Sequence, residues 1–181
     1  DNAKCCIAVN QQGEIASMIL APMLTVCLIF MPFVLKILYS DSFLLANEYI
    51  SWACLGMMLR LGAWVISFLF VAKAESKIFI KLELSANLYY LAFSLLGYKY
   101  LGLNGLGIAF ALEYFVYFMQ CYLIARSRYG FRFSNSFIRC YGCQLLLVVL
   151  SLVVVMIFDG WLKYMIGCFV ILISCFLGVR G

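Results

Sequence analysis

Hydrophobic residues along the chain come in long runs that are separated by short polar segments. The run between Glu14 and Lys36 contains no charged residue, and neither does the run from Cys140 to Phe158. A helix needs about 20 apolar residues to cross a hydrocarbon core of ~30 Å. Each of these runs is therefore long enough to form a membrane-spanning helix.

The whole pattern predicts an all-α membrane protein with about six transmembrane helices. The predicted spans cover about residues 15–38, 49–72, 78–98, 103–125, 140–158 and 161–179. The first span contains Pro22 and Pro32, and each should bend the helix because proline removes a backbone donor. We divide the chain into a cytoplasmic lead-in (1–14), a four-helix core (15–126), a cytoplasmic basic loop (127–139) and a terminal helix pair (140–181).

Composition supports a hydrocarbon environment, since 67% of the 181 residues are hydrophobic and only 12% are charged. A soluble domain keeps about a quarter of its residues charged. The chain opens on a polar segment without an initiator Met, so we expect it to be part of a longer protein. Small residues at 102–111 predict a tight helix contact, because packing in lipid depends on close backbone approach.

Basic residues predict the orientation, because loops rich in Lys and Arg stay in the cytoplasm. With six spans, one side holds nine of them: Lys4, Lys73, Lys77, Lys81, Arg126, Arg128, Arg132, Arg139 and Arg180. The other side holds Lys36, Lys99 and Lys163. We therefore predict that both termini are cytoplasmic. The net charge of +5 is a topology signal, and no nucleic-acid partner is expected.

Two ionisable residues lie deep within the predicted spans. Arg60 and Glu113 are each about ten residues into a span, so both side chains start ~15 Å below the outer interface, near the midplane. Ionisable groups at that depth are costly and mark functional sites by default. The two residues could face a shared water-filled cavity, or they could form a structural ion pair that fixes helix register.

Neighbouring polar positions extend this pair into three polar stripes that favour one shared interior. Helical spacing places Tyr117 and Gln120 on the face of Glu113, and Trp64 on the face of Arg60. A third stripe contains Glu83 and Asn87. These side chains, with Lys81, are our candidates for substrate binding or coupling, although Lys81 near the cytoplasmic end could instead snorkel to the interface.

Catalysis has little support in the sequence. The chain contains no His, and Cys140 and Cys143 form a CxxC motif without a second pair. We see no nucleophile–base set and no phosphate-binding glycine loop, so we expect no enzymatic activity, no metal site and no cofactor.

Three stretches resemble Wzx-type O-antigen translocases, and they follow one another in the same order as in that family. They are Phe30-Met-Pro-Phe-Val-Leu-Lys-Ile-Leu-Tyr-Ser-Asp-Ser-Phe43, Leu69-Phe-Val-Ala-Lys-Ala-Glu-Ser-Lys77 and Tyr100-Leu-Gly-Leu-Asn-Gly-Leu-Gly-Ile-Ala109. The resemblance covers about residues 15–130. It implies the multidrug/oligosaccharidyl-lipid/polysaccharide exporter superfamily, whose members pair two six-helix lobes around a central cavity. This chain would be most of the second lobe plus a terminal helix pair, without the first lobe.

The resemblance implies a flippase that moves undecaprenyl-pyrophosphate-linked O-antigen units across the bacterial inner membrane by alternating access. Arg60 would suit the pyrophosphate by charge, and Glu113 or Glu83 could couple transport to protons or cations. The implied partners are the lipid bilayer, the lipid-linked oligosaccharide, the missing N-terminal lobe and other polysaccharide assembly proteins. The alternatives are an exporter of small amphiphiles or drugs, a membrane enzyme of glycan assembly, and a structural subunit.

Overall fold

Helices account for nearly all of the structure, as the long hydrophobic runs predict. The computed structural model describes residues 2–38, 45–158 and 160–180. Five helices follow one another within these ranges: α1 (Asn2–Leu38), α2 (Leu45–Ala72), α3 (Ser76–Tyr129), α4 (Asn135–Ile157) and α5 (Trp161–Arg180). Each is long and apolar enough to cross a membrane. The prediction of an all-α chain is therefore confirmed for the described part, and its five long apolar helices are consistent with a multi-pass membrane protein.

The helix count is five rather than the predicted six, because the third and fourth predicted spans lie within the single helix α3. This helix has 54 residues, which would measure ~80 Å if it were straight. It is interrupted at Gly102, whose backbone angles (φ 60°, ψ −138°) are not helical. A residue with a side chain rarely adopts such a conformation, so glycine is the residue that permits the break.

The two parts of α3 on either side of Gly102 fold back against each other, and we refer to them as the first arm (76–101) and the second arm (103–129). A Cβ atom on Gly105 would overlap the carbonyl group of Gly97, so the two backbones are in direct contact near the turn. Further along the arms, Glu83 and Tyr117 are hydrogen-bonded to each other. The small residues at 102–111 thus form tight helix contacts on two sides, since Gly105 meets the first arm and Gly107 meets α2.

One end of the bundle gathers four segments that are distant in sequence. The amide of Ser134, which precedes α4, donates to the Asn10 side chain at 2.9 Å. Arg128 at the end of α3 forms a salt bridge of 2.7 Å with Glu75, which follows α2. The C-terminal part of α5 packs against Met18 of α1. The segments that were expected to share one side of the membrane therefore lie at one end of the structure.

The predicted basic loop is shorter than expected, since only residues 130–134 are non-helical between α3 and α4. Phe133 is stacked between the rings of Tyr122 and Phe137, with centroid distances of 5.3 and 4.6 Å. The Ser134 side chain caps α4 by accepting from the Phe137 amide. At the other boundary, α1 begins at Asn2, so the predicted lead-in is helical and continuous with the first span.

We expect Gly105→Ala to destabilise the protein by about 1–3 kcal/mol, because the added methyl group must push the two arms apart. The matched control is Gly142→Ala in α4, where no atom lies within 4 Å of the new Cβ. This control should be neutral, or stabilising by up to about 1 kcal/mol through helix propensity. Thermal unfolding in detergent checks both variants, and equal midpoints would contradict the tight arm contact.

Candidate functional site

The candidate site lies between α2 and the two arms of α3. Of the five helices, α2 is the most enclosed. In α2, 61% of an 18-residue apolar stretch is buried, against 22–33% of the corresponding stretches in the other four helices. It packs against the second arm through glycines: Gly56 faces Phe110, and Gly107 faces the backbone of Tyr49. This close approach aligns α2 with both arms and determines which side chains meet between them.

A cavity of about 200 Å³ opens between these three segments. Six of the eight candidates from the sequence line it: Arg60, Trp64, Glu83, Asn87, Glu113 and Tyr117. Ser67 and the aromatic side chains of Phe68, Phe79 and Tyr114 contribute to the wall. The structure thus brings together side chains from three polar stripes that are up to 57 positions apart in sequence, from Arg60 to Tyr117.

Arg60 and Glu113 share this cavity without a direct salt bridge between them. The Arg60 guanidinium lies 5.3 Å from the centre of the Tyr114 ring, which is a cation–π contact. Arg60 is exposed, whereas Glu113 is 4% exposed. In the described part of the chain, the salt bridge within 4.0 Å joins Arg128 and Glu75 instead. The shared cavity therefore describes the two residues better than a structural ion pair does.

A chain of hydrogen bonds connects the first arm to α2 across the cavity. The Tyr117 hydroxyl donates to Glu83 Oε1. Ser67 Oγ lies 3.3 Å from the same hydroxyl oxygen and 3.0 Å from the carbonyl oxygen of Ala63, so the single Ser67 proton can be donated to either of these two acceptors. Asn87 donates to the carbonyl of Glu83 at 2.9 Å, within the first arm. The bond from Tyr117 holds the Glu83 carboxylate at the cavity wall through Oε1, and none of these bonds uses the second carboxylate oxygen.

Two candidates do not line the cavity. Lys81 is exposed and precedes Glu83 by two residues, which is about 200° around a helix, so its side chain leaves the arm on the opposite face. Gln120 accepts a hydrogen bond of 3.2 Å from Ser85 and so ties the two arms together beside the cavity. Helical spacing correctly predicted that Gln120 faces the first arm, but its side chain lies outside the cavity.

Sequence reasoning found the aromatic residues Trp64 and Tyr117 but missed three others that line the cavity: Phe68, Phe79 and Tyr114. Tyr114 follows Glu113 directly, and its ring forms the cation–π contact with the Arg60 guanidinium. Helical periodicity alone treats an aromatic residue in a membrane span as lipid-facing or core, so only the spatial proximity to Arg60 identifies it. Phe68 and Phe79 also belong to segments that meet only after the chain has folded.

The chemistry available in the cavity is electrostatic. One guanidinium can bind an anionic group, and two carboxylates can bind a proton or a cation. Within residues 2–38, 45–158 and 160–180, no group of three His, Cys, Asp or Glu side chains converges as metal ligands do. The charged side chains that line the cavity favour binding and release of charged groups.

In comparisons with known proteins, no protein-family model, no curated protein and no solved structure matches the chain. The resemblance to Wzx-type translocases consequently rests on the three sequence stretches. The first of them, Phe30–Phe43, extends into residues 39–44, which lie outside the described part. The third contains Gly102 and Gly105, the two glycines at the turn and contact of α3.

We expect Tyr117→Phe to lower stability by about 0.5–2 kcal/mol, the usual range for a hydrogen bond between membrane helices. The substitution removes the hydroxyl that joins Glu83 to Ser67 and changes little else. Tyr100→Phe is the matched control, because Tyr100 is 74% exposed. Thermal unfolding in detergent measures both, and a loss confined to Tyr117→Phe supports the hydrogen-bond chain. Identical behaviour of the two variants would count against it.

Proposed function

We propose that the chain is one lobe of a flippase that moves undecaprenyl-pyrophosphate-linked O-antigen or related polysaccharide units across the bacterial inner membrane by alternating access. The observation that carries this proposal is the charged cavity between α2 and the arms of α3, inside a bundle whose outer surface is apolar. Charged residues within membrane segments line substrate or ion pathways, since they are too costly to keep without a role.

Arg60 is the residue proposed to bind the pyrophosphate. A guanidinium presents donors in a planar fork that matches phosphate oxygens, and it remains charged at any physiological pH. The Tyr114 ring supports the guanidinium from one side. Because Arg60 is exposed at the cavity, its donors are accessible to a ligand.

The size of the cavity supports a headgroup site. Pockets for drug-sized ligands usually enclose about 300–1,000 Å³, whereas this one measures about 200 Å³. That volume suits a phosphate-containing group and one adjoining sugar better than a complete oligosaccharide. The remaining sugars would occupy the space between this lobe and a second one.

The open side of the cavity supports a second lobe. Arg60 and Asn87 are exposed in the chain alone, and Trp64 is 47% exposed. Hydrocarbon cannot solvate a guanidinium and an amide at mid-membrane depth. A facing helical lobe would cover these groups and complete a water-filled path, and the two lobes would rock around it.

The two carboxylates are proposed to couple substrate movement to protons or cations. Glu113 and Glu83 line the same cavity as Arg60. A phosphate bound to Arg60 would neutralise the guanidinium and add negative charge beside the two carboxylates. Binding of the substrate would thus favour binding of a proton or a cation in the same cavity.

The second candidate function is export of small amphiphiles by the same architecture. The aromatic wall formed by Trp64, Phe68 and Tyr114 favours it, because such rings bind flat apolar groups. The two functions differ in their requirement for a phosphate on the substrate.

The first test is genetic and uses the full-length gene in a translocase-deficient strain. Arg60→Ala and Glu113→Gln should reduce surface O-antigen by about tenfold to a hundredfold, the range expected when charge-assisted hydrogen bonds are lost. The matched controls Lys99→Ala and Glu75→Gln remove the same chemistry outside the cavity and should retain transport. Membrane insertion is measured in parallel. If wild type restores no O-antigen while the lipid-linked precursor accumulates, the flippase proposal is wrong.

The second test determines the orientation of the helices in the membrane with fused reporter proteins, each of which is active on only one side. Fusions that end at Gly130 should place the reporter in the cytoplasm, and fusions that end at Gly102 should place it outside. Paired fluorescent-protein and alkaline-phosphatase fusions distinguish the two sides. A cytoplasmic reporter at Gly102 would show that the arms of α3 do not cross the membrane as two separate spans.

A further inference from the structure

We propose that the end of the bundle around residues 130–134 binds the phosphate headgroups of anionic phospholipids. The binding surface is an arginine rim formed by Arg126, Arg132 and Arg139, all of which are exposed. The lysines Lys77 and Lys81 at the start of the first arm flank it and are exposed as well. This interaction is separate from the cavity and from the substrate proposed above.

The charge excess of the protein is concentrated at this end. The sequence assigns nine basic and three acidic residues to it, against three basic and three acidic residues at the opposite end. Glu75 is paired with Arg128, outside the rim, and Glu14 accepts from the Ser134 hydroxyl at 3.1 Å. Because nine basic residues outnumber three acidic ones by six, this end keeps a net positive charge that can attract an external anion.

The rim is held in place by buried aromatic residues. Phe131 is fully buried, and Phe133 stacks on Phe137 at 4.6 Å. Between these anchors, the Arg132 carbonyl accepts from the Asn10 side chain at 3.3 Å, while the Arg132 side chain remains exposed. A loop anchored at every second residue presents its arginine with little loss of conformational entropy on binding.

The position of the rim at the lipid-facing perimeter identifies the partner as a lipid. Leu123 lies one turn before Arg126 in the second arm and is 59% exposed, and Leu146 lies two turns after Arg139 in α4 and is 68% exposed. Both apolar residues are farther from this end of the bundle than the arginines, and in a membrane they contact acyl chains. The arginines, one or two turns closer to the end, then lie at the level of the headgroups, where anionic phosphates are concentrated.

The test is a titration of the purified chain with phosphatidylglycerol in neutral detergent, followed by native mass spectrometry. Arg126→Gln/Arg139→Gln should weaken the apparent affinity by about fivefold for each arginine removed. The matched control Lys36→Gln/Lys99→Gln removes the same charge at the opposite end and should bind as wild type does. Phosphatidylcholine, which has no net charge, should bind weakly to all three proteins.

Two results would overturn this proposal. Equal losses in the arginine and lysine variants would show that binding follows net charge and has no preferred end. Efficient competition by millimolar glycerol phosphate would show that the rim binds a free phosphate rather than a lipid headgroup. All four substituted side chains are exposed, so we expect each variant to keep its fold. Thermal unfolding of each variant without lipid checks this expectation.

Discussion

The absence of hydrogen-bonding solvent in the bilayer interior is the constraint on which this structure depends. Every backbone amide and carbonyl in that region needs a partner within the chain, and helices provide one. The same constraint acts on polar side chains. Ser17, Thr25 and Ser151 bond to carbonyls of their own helices, and Gln144 and Ser174 bond to each other across α4 and α5. Charged groups carry a higher cost in the bilayer than these neutral ones, and Arg60 and Glu113 share the cavity without a direct salt bridge between them, which is why they point to function.

The hairpin of α3 connects this constraint to the site. Because Gly97 and Gly105 allow the backbones of the two arms to touch, the arms stay close enough for Tyr117 to reach Glu83. The glycine contacts of α2 with the second arm then place Ser67 beside the same tyrosine. Small residues thus determine the backbone spacing, and the backbone spacing determines which polar groups share a cavity.

Two distinct electrostatic regions result from this arrangement. The cavity holds a cation and two carboxylates between α2 and the two arms of α3, where a mobile charged ligand could be exchanged. The arginine rim holds cations at one end, anchored by aromatic rings around residues 130–134. In our proposals the cavity binds the headgroup of the transported substrate, while the arginine rim binds the headgroups of the surrounding phospholipids. The two regions are joined by α2 and the arms of α3, which extend from one to the other.

The length of the hydrophobic runs and the rarity of charge already predict the membrane character, the approximate spans and most of the candidate residues, because the bilayer selects these local properties directly. Arg60 and Glu113 could be identified in this way from depth alone. Two features could be seen only in the folded chain: two predicted spans form one helix interrupted at Gly102, and the Tyr114 ring lies against the Arg60 guanidinium. These features depend on how helices rotate and approach one another, and helix rotation is set by side-chain packing between segments that are far apart in sequence.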